Sequence, residues 1–206
     1  MESTEQAVEP ANGEVVDGEV VSSGAHSVSR RIGEVVVATI IIVLLINVLA
    51  VNSEQIGSSM ASTFKPGDMV LASRVTYMLF PPDRGDVVVM RDPLNADGTV
   101  VRRVIGLPGE HIELRGRQVL INNLPLVEDY IGNPLAGSDN LSATIQLQLQ
   151  KAEYYVLGDN RLSINDSRSW GVIKESDILG RAWLVYWPPD SISTVQRPLP
   201  ASTSEK

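Results

Sequence analysis

The chain has 206 residues, 43% of them hydrophobic, and a formal net charge of −8 at neutral pH, which leaves room for one ordinary domain plus appendages. It contains no cysteine, so disulfides and thiolate metal sites are excluded. The charge is uneven: residues 1–29 carry six acidic and no basic residues, residues 52–190 carry 17 acidic and 13 basic ones, and no basic stripe argues for nucleic acid.

In chain order, residues 1–29 read as a disordered acidic leader, rich in small and polar residues and without aromatics. Residues 35–51, "VVVATIIIVLLINVLAV", form an apolar run broken only by Thr39 and Asn47. Its length is at the short end for a spanning helix. Arg30 and Arg31 precede it, and Asn52, Ser53 and Glu54 follow. The positive-inside rule puts the N-terminus in the cytoplasm and the rest outside. A run longer than a signal-peptide core, set behind a long leader, reads as an uncleaved anchor over 30–52, with the lipid bilayer as a partner and the plasma membrane as the location.

Residues 53–190 form the extracytoplasmic domain, followed by a flexible tail at 191–206. Strand-like runs recur at 69–75, 86–90, 99–105, 111–116, 117–122, 144–150, 153–158 and 181–187, with turn chemistry such as Pro66-Gly67-Asp68 and Asn122-Asn123 between them. This pattern predicts a mainly β fold, an antiparallel sandwich or partly closed barrel. "IELRGRQVLI" predicts a hairpin around Gly116, and 127–143 reads as an exposed excursion. In "TVVRRVI", neighbouring side chains point to opposite faces, so Arg102 and Arg103 cannot both meet solvent on a half-buried sheet.

Three segments carry chemistry. "IGSSMASTFKPGD" (56–68) sets Gly57-Ser58-Ser59 just beyond the apolar run; such a run serves either as a linker turn or as a serine nucleophile with its oxyanion site. "PPDRGDVVVM" (81–90) is a turn feeding a strand. "GDNRLSINDSRSWG" (158–171) reads as a hydrogen-bonded loop fixed in one conformation. No cofactor motif and no metal-ligand set stands out.

Taken in order, "GSSM", "RGDVVVM", "RRVIGLPGE" and "GDNR…DSRSWG" behind an N-terminal anchor resemble the type I signal peptidase family. Its members are membrane-anchored serine proteases that remove signal peptides from exported preproteins. The resemblance implies a mostly antiparallel β domain with its site near the bilayer. It implies Ser59 as nucleophile, with its own N–H and the region of Gly57 and Ser58 as the oxyanion site, and Met60 in the pocket for the small residue before the cut. Asp159, Arg161, Asp166 and Arg168 match the buttress of the last motif. Peptide substrates are expected to add as an extended strand.

At the position of the family's general-base lysine this chain has Arg102, with Arg103 implied to face away from the site. An arginine has no accessible neutral form and only donates. Where the family has a serine that bonds the lysine, this chain has Ile164, with Ser163 one position earlier, and Ser62 replaces a usual proline. Lys65, Lys151, Lys174 and His111 are the remaining bases of the outer domain, none at a position the family uses. Two readings follow: a signal peptidase hydrolysing after small residues through Ser59, or a member that binds signal peptides without cleaving, with an active paralogue as partner.

Overall fold

The computed structural model describes residues 23–54, 58–116, 118–131 and 144–197. The chain divides into two compact units, Met1–Leu44 and Leu45–Lys206. The first holds most of helix α1 (Ser23–Leu49), in which Val35, Val36, Ile40 and Ile42 are exposed. Among the described residues no helix is long and apolar enough to cross a membrane. The last two residues of the apolar run are not helical. Ala50 and Val51 open strand β1 (Ala50–Glu54), because Val51 packs into the core of the second unit and pairs with Ala72.

The second unit is built from antiparallel strands. After β1 come β2 (Met69–Ser73), a short helix α2 (Val75–Leu79), β3 (Val87–Asp92), β4 (Asn95–Gly106), β5 (His111–Arg115), β6 (Gln118–Ile121) and β7 (Leu124–Pro125). Then follow β8 (Ile145–Gln148), β9 (Glu153–Leu157), a one-turn helix α3 (Ser167–Trp170), β10 (Ile173–Lys174), β11 (Ile178–Trp187) and β12 (Ser193–Thr194). One sheet has the order β1-β2-β11-β3-β4-β9-β10, with β12 also on β11; a second has the order β7-β6-β5-β8.

Both sheets are open, so the partly closed barrel is not formed among the described residues. The expected strands are present, and the hairpin at Gly116 joins β5 to β6 with Leu114 opposite Val119. Strands β7, β10 and β12 are only two residues long, too short to leave a periodic trace in sequence.

Strand β3 explains the unbroken apolar run "VVVM". Val87 and Val89 enter one core cluster with Met60, Phe64, Val70 and Val185, while Val88 and Met90 enter another with Val104, Val156 and Ile173. A strand covered on both faces has no solvent side and no alternation. The neighbouring β4 inherits the same surroundings, so both Arg102 and Arg103 are buried, which corrects the picture of a half-buried sheet. A third cluster joins Ile105, Tyr155 and Leu157 of the large sheet to Ile112, Leu114, Val119 and Ile121 of the small one. The segment 127–143 is likewise not an exposed excursion from its start. Val127 and Asp129 face solvent, but Glu128 and Tyr130 turn inward; residues 132–143 lie outside the described set.

Candidate functional site

Ser59 sits in a tight turn between β1 and β2. The turn is closed by Ala61 N–H on Ser58 O at 3.1 Å and by Thr63 and Phe64 N–H on Met60 O, both at 2.8 Å. Met60 and Phe64 anchor it in the core. Ser59 itself is only 6% exposed. Its carbonyl accepts Asn160 N–H at 3.0 Å, and Asn160 Nδ2 donates to Ser58 O at 2.9 Å. Asp159 N–H donates to Met60 Sδ at 3.4 Å. The two segments that sequence reading singled out separately are therefore one structure. Gly57 lies outside the described residues.

Gly158 shows why this contact demands glycine. Its φ is ordinary, yet a Cβ there would meet Ser59 O at 2.4 Å and Ser59 Cβ at 3.4 Å. Close approach, not backbone freedom, requires the missing side chain. The peptide group is held on both sides: Gly158 N–H donates to Asp166 Oδ2 at 3.0 Å and Gly158 O accepts Arg161 Nε at 3.0 Å.

The charges around the turn are nearly all committed. Arg103 Nε and Nη2 grip both oxygens of Asp159 at 2.8 and 2.6 Å, Nη1 donates to Gly85 O at 2.8 Å, and the guanidinium lies 4.1 Å over the Tyr130 ring. Its Nη2 also reaches Thr63 Oγ1 at 3.4 Å, and the Thr63 hydroxyl donates to Asp159 Oδ2. Asp166 caps α3 through Arg168 N–H and pairs with the Arg168 guanidinium at 2.7 Å. Arg161 pairs with Glu128 rather than with Asp159. Glu128 and Tyr130 were not singled out in the sequence, and nothing in Val127-Glu128-Asp129-Tyr130 marks the glutamate as turning inward.

Arg102 and Arg103 occupy opposite faces of β4, as their cross-strand partners Val88 and Val87 do. Arg103 is the one bonded into the turn that carries Ser59, through Thr63 and Asp159. Arg102 reaches the second segment instead: Nε donates to Asn165 O at 2.7 Å and Nη1 to Val101 O at 2.5 Å. Burial pulls the Arg102 pKa down, and the charges of Asp166 and Asp92 pull it back up. A guanidinium that starts from a pKa above about 12 keeps its proton at neutral pH.

Among the described residues, neither the hydroxyl nor the N–H of Ser59 has a hydrogen-bond partner. Lys65, Lys151 and Lys174 are exposed, and His111 stands in β5 of the other sheet. Ile164 is 59% exposed and Leu162 64%, so the loop presents apolar groups beside Asn160 and Asn165. Met60 is fully buried. Among the described residues no group of metal-binding side chains is present.

Comparison with known proteins gives a consistent result. Residues 29–187 match the family described as signal peptidase, peptidase S26. A signal peptidase I of Leptolyngbya laminosa is 34% identical over 151 residues, covering 68% of this chain and 70% of that protein. A probable signal peptidase I-2 of Synechocystis sp. is 31% identical over 163 residues, 76% of this chain and 72% of that one. Signal peptidase I U of Bacillus subtilis is 33% identical over 137 residues, 64% and 73% respectively.

Proposed function

Because the chain belongs to the signal peptidase S26 family, we propose that it acts on the signal peptides of exported preproteins, with Ser59 as the nucleophile for hydrolysis after small residues. The observation that carries this reading is the state of Ser59. Its carbonyl is pinned by Asn160, while its hydroxyl and N–H are left without partners among the described residues. In this reading Ser59 Oγ attacks the scissile carbonyl and Ser59 N–H, with the Gly57-Ser58 segment, receives the oxyanion. The serine proton passes to a base and then to the leaving amine, and water hydrolyses the acyl-serine. Met60 fills the space under the residue before the cut, and Asp159, Arg161, Asp166 and Arg168 keep the loop rigid.

We also place the chain in the plasma membrane, anchored through α1 with the N-terminus cytoplasmic. The apolar run at 35–51, the arginines before it and the exposure of Val35, Val36, Ile40 and Ile42 support that placement.

A second reading, binding without turnover beside an active paralogue, is favoured by one observation. Among the described residues no side chain hydrogen-bonds the Ser59 hydroxyl. Arg102 only donates, Ile164 cannot orient a base, and Asp159 and Asp166 are each held by an arginine. The deciding experiment is cleavage of a preprotein ending in alanine-x-alanine, in detergent, by wild type, Ser59→Ala and the double variant Arg102→Lys/Ile164→Ser. Cleavage by wild type that Ser59→Ala abolishes establishes the peptidase. Cleavage by the double variant alone shows that wild type has lost turnover on an intact scaffold, as the binding reading requires.

A further inference from the structure

Glu128 is a buried carboxylate, 8% exposed in its side chain, that sequence reading assigned to a surface excursion. Both its oxygens are in use. Oε2 accepts Arg161 Nη1 at 2.9 Å, and Oε1 accepts Arg161 Nη2 and the Tyr130 hydroxyl, the latter at 2.5 Å. The pairing is bidentate, the geometry that fixes a guanidinium in direction as well as position. Arg161 uses its remaining Nε on Gly158 O. Gly158 in turn is the surface on which the Ser59 backbone rests, too close for even a Cβ.

Tyr130 adds a second strut, because its ring lies under the face of the Arg103 guanidinium whose N–H edge grips Asp159. Burial first, then the Glu128 charge, holds the Tyr130 pKa above its ordinary value, so its hydroxyl stays a donor to Glu128.

We propose that Glu128 is a positioning residue for Ser59, acting through Arg161 and the Gly158 peptide; the proposal rests on the reading of Ser59 as the reacting serine. Glu128 bonds Arg161 and Tyr130 and makes no hydrogen bond to the serine. Its effect is to hold the serine backbone in one place, and displacement of a reacting group by about 1 Å costs on the order of 100-fold in rate.

The test uses the full chain in detergent, with Glu128→Gln, which keeps the volume and removes the charge, Glu128→Asp, and Arg91→Ala as a control in an exposed ion pair with Asp177. Kinetics are run in whichever form cleaves, wild type or Arg102→Lys/Ile164→Ser, and amide hydrogen exchange is followed at Asn160 and along β3 and β4. The expected result is a fall in kcat of roughly 10- to 100-fold in Glu128→Gln with little change in KM, partial recovery in Glu128→Asp, and no change in Arg91→Ala. Asn160 exchanges faster while the β3 and β4 amides stay protected.

Unchanged kcat and unchanged Asn160 protection overturn the proposal. So does faster exchange spread evenly over β3 and β4, which marks Glu128 as a general stabiliser. If neither form cleaves, the nucleophile reading fails by itself. The exchange at Asn160 still decides whether Glu128 seats the serine segment.

Discussion

In the eight-stranded sheet, Arg103 of β4 and its partner Asp159 are shut off from water, at 1% and 0% side-chain exposure. In the four-stranded sheet, Arg115 of β5 pairs with Glu113 at 2.7 Å while 60% of its own side chain remains in water. The first pair sits beneath a turn and a loop that it holds together. In the second, Glu113 is itself only 5% exposed, covered on β5 and bonded by Gln146 of β8, and it is the Arg115 arm alone that stays in water. Equal pairs on paper thus differ in what their removal exposes. Taking away one partner of a buried pair strands the other charge, whereas water replaces a partner at the surface.

The largest expected effect follows from Asp159→Asn. It leaves the buried Arg103 charge with no anion, facing only Gly85 O, Thr63, the Tyr130 ring and a neutral amide, and urea denaturation is expected to report a loss of about 3–5 kcal/mol. A loss no greater than that of a surface pair would erase the distinction between the two sheets. Next in size, Gly158→Ala forces a Cβ onto the Ser59 carbonyl and should cost about 1–3 kcal/mol. Wild-type stability in that variant would mean the contact relaxes without strain.

Tyrosine titration sharpens the contrast on the alkaline side. Tyr155 of β9 is raised above its ordinary value, first by burial and then by the Asp166 charge, and Tyr154 is pushed up to about 12, chiefly by burial. The folded state holds these protons to higher pH than the unfolded state does. Their contribution is therefore fully present below pH about 10 and is lost as pH rises above it. Tyr155→Phe should flatten that loss, with little cost at neutral pH, since the Tyr155 hydroxyl is buried without a partner among the described residues. A neutral-pH loss as large as that of Asp159→Asn would show the hydroxyl to be bonded.

The smallest effect is expected in the four-stranded sheet. The hydrogen bond from Arg115, then one from Gln146, holds the Glu113 carboxyl below its ordinary range. That contribution is present above pH about 4.3 and fades as pH falls through the lowered folded value. Glu113→Gln should leave the urea midpoint at neutral pH nearly unchanged and blunt only the acid limb. A large neutral-pH loss would show that this pair is as sheltered as the one under Ser59.

Much of this architecture was readable in advance. Runs such as "DVVVM" and "EYYVLG" announce strands because β-branched and aromatic residues between turn residues have few other uses. The hairpin at Gly116 and the serine, arginine and aspartate positions of the candidate site were legible as local motifs. Arg161 was legible as well, but its partner was not, because Glu128 lies 33 positions away and its charge alone carries no address.

The amino-acid sequence by itself determined the family, the antiparallel strands and the segments that meet at the serine, since each is encoded in residues close along the chain. Only the tertiary structure decided how charge is distributed inside. It put Arg103 on Asp159 and under the Ser59 turn, and left Arg102 bonded to the Asn165 carbonyl on the other face of β4. It also tied Glu128 to Arg161. The physical reason is that a pairing between distant charges is settled by which faces the folded sheets bury, and burial is a property of the assembled core rather than of any local run of residues.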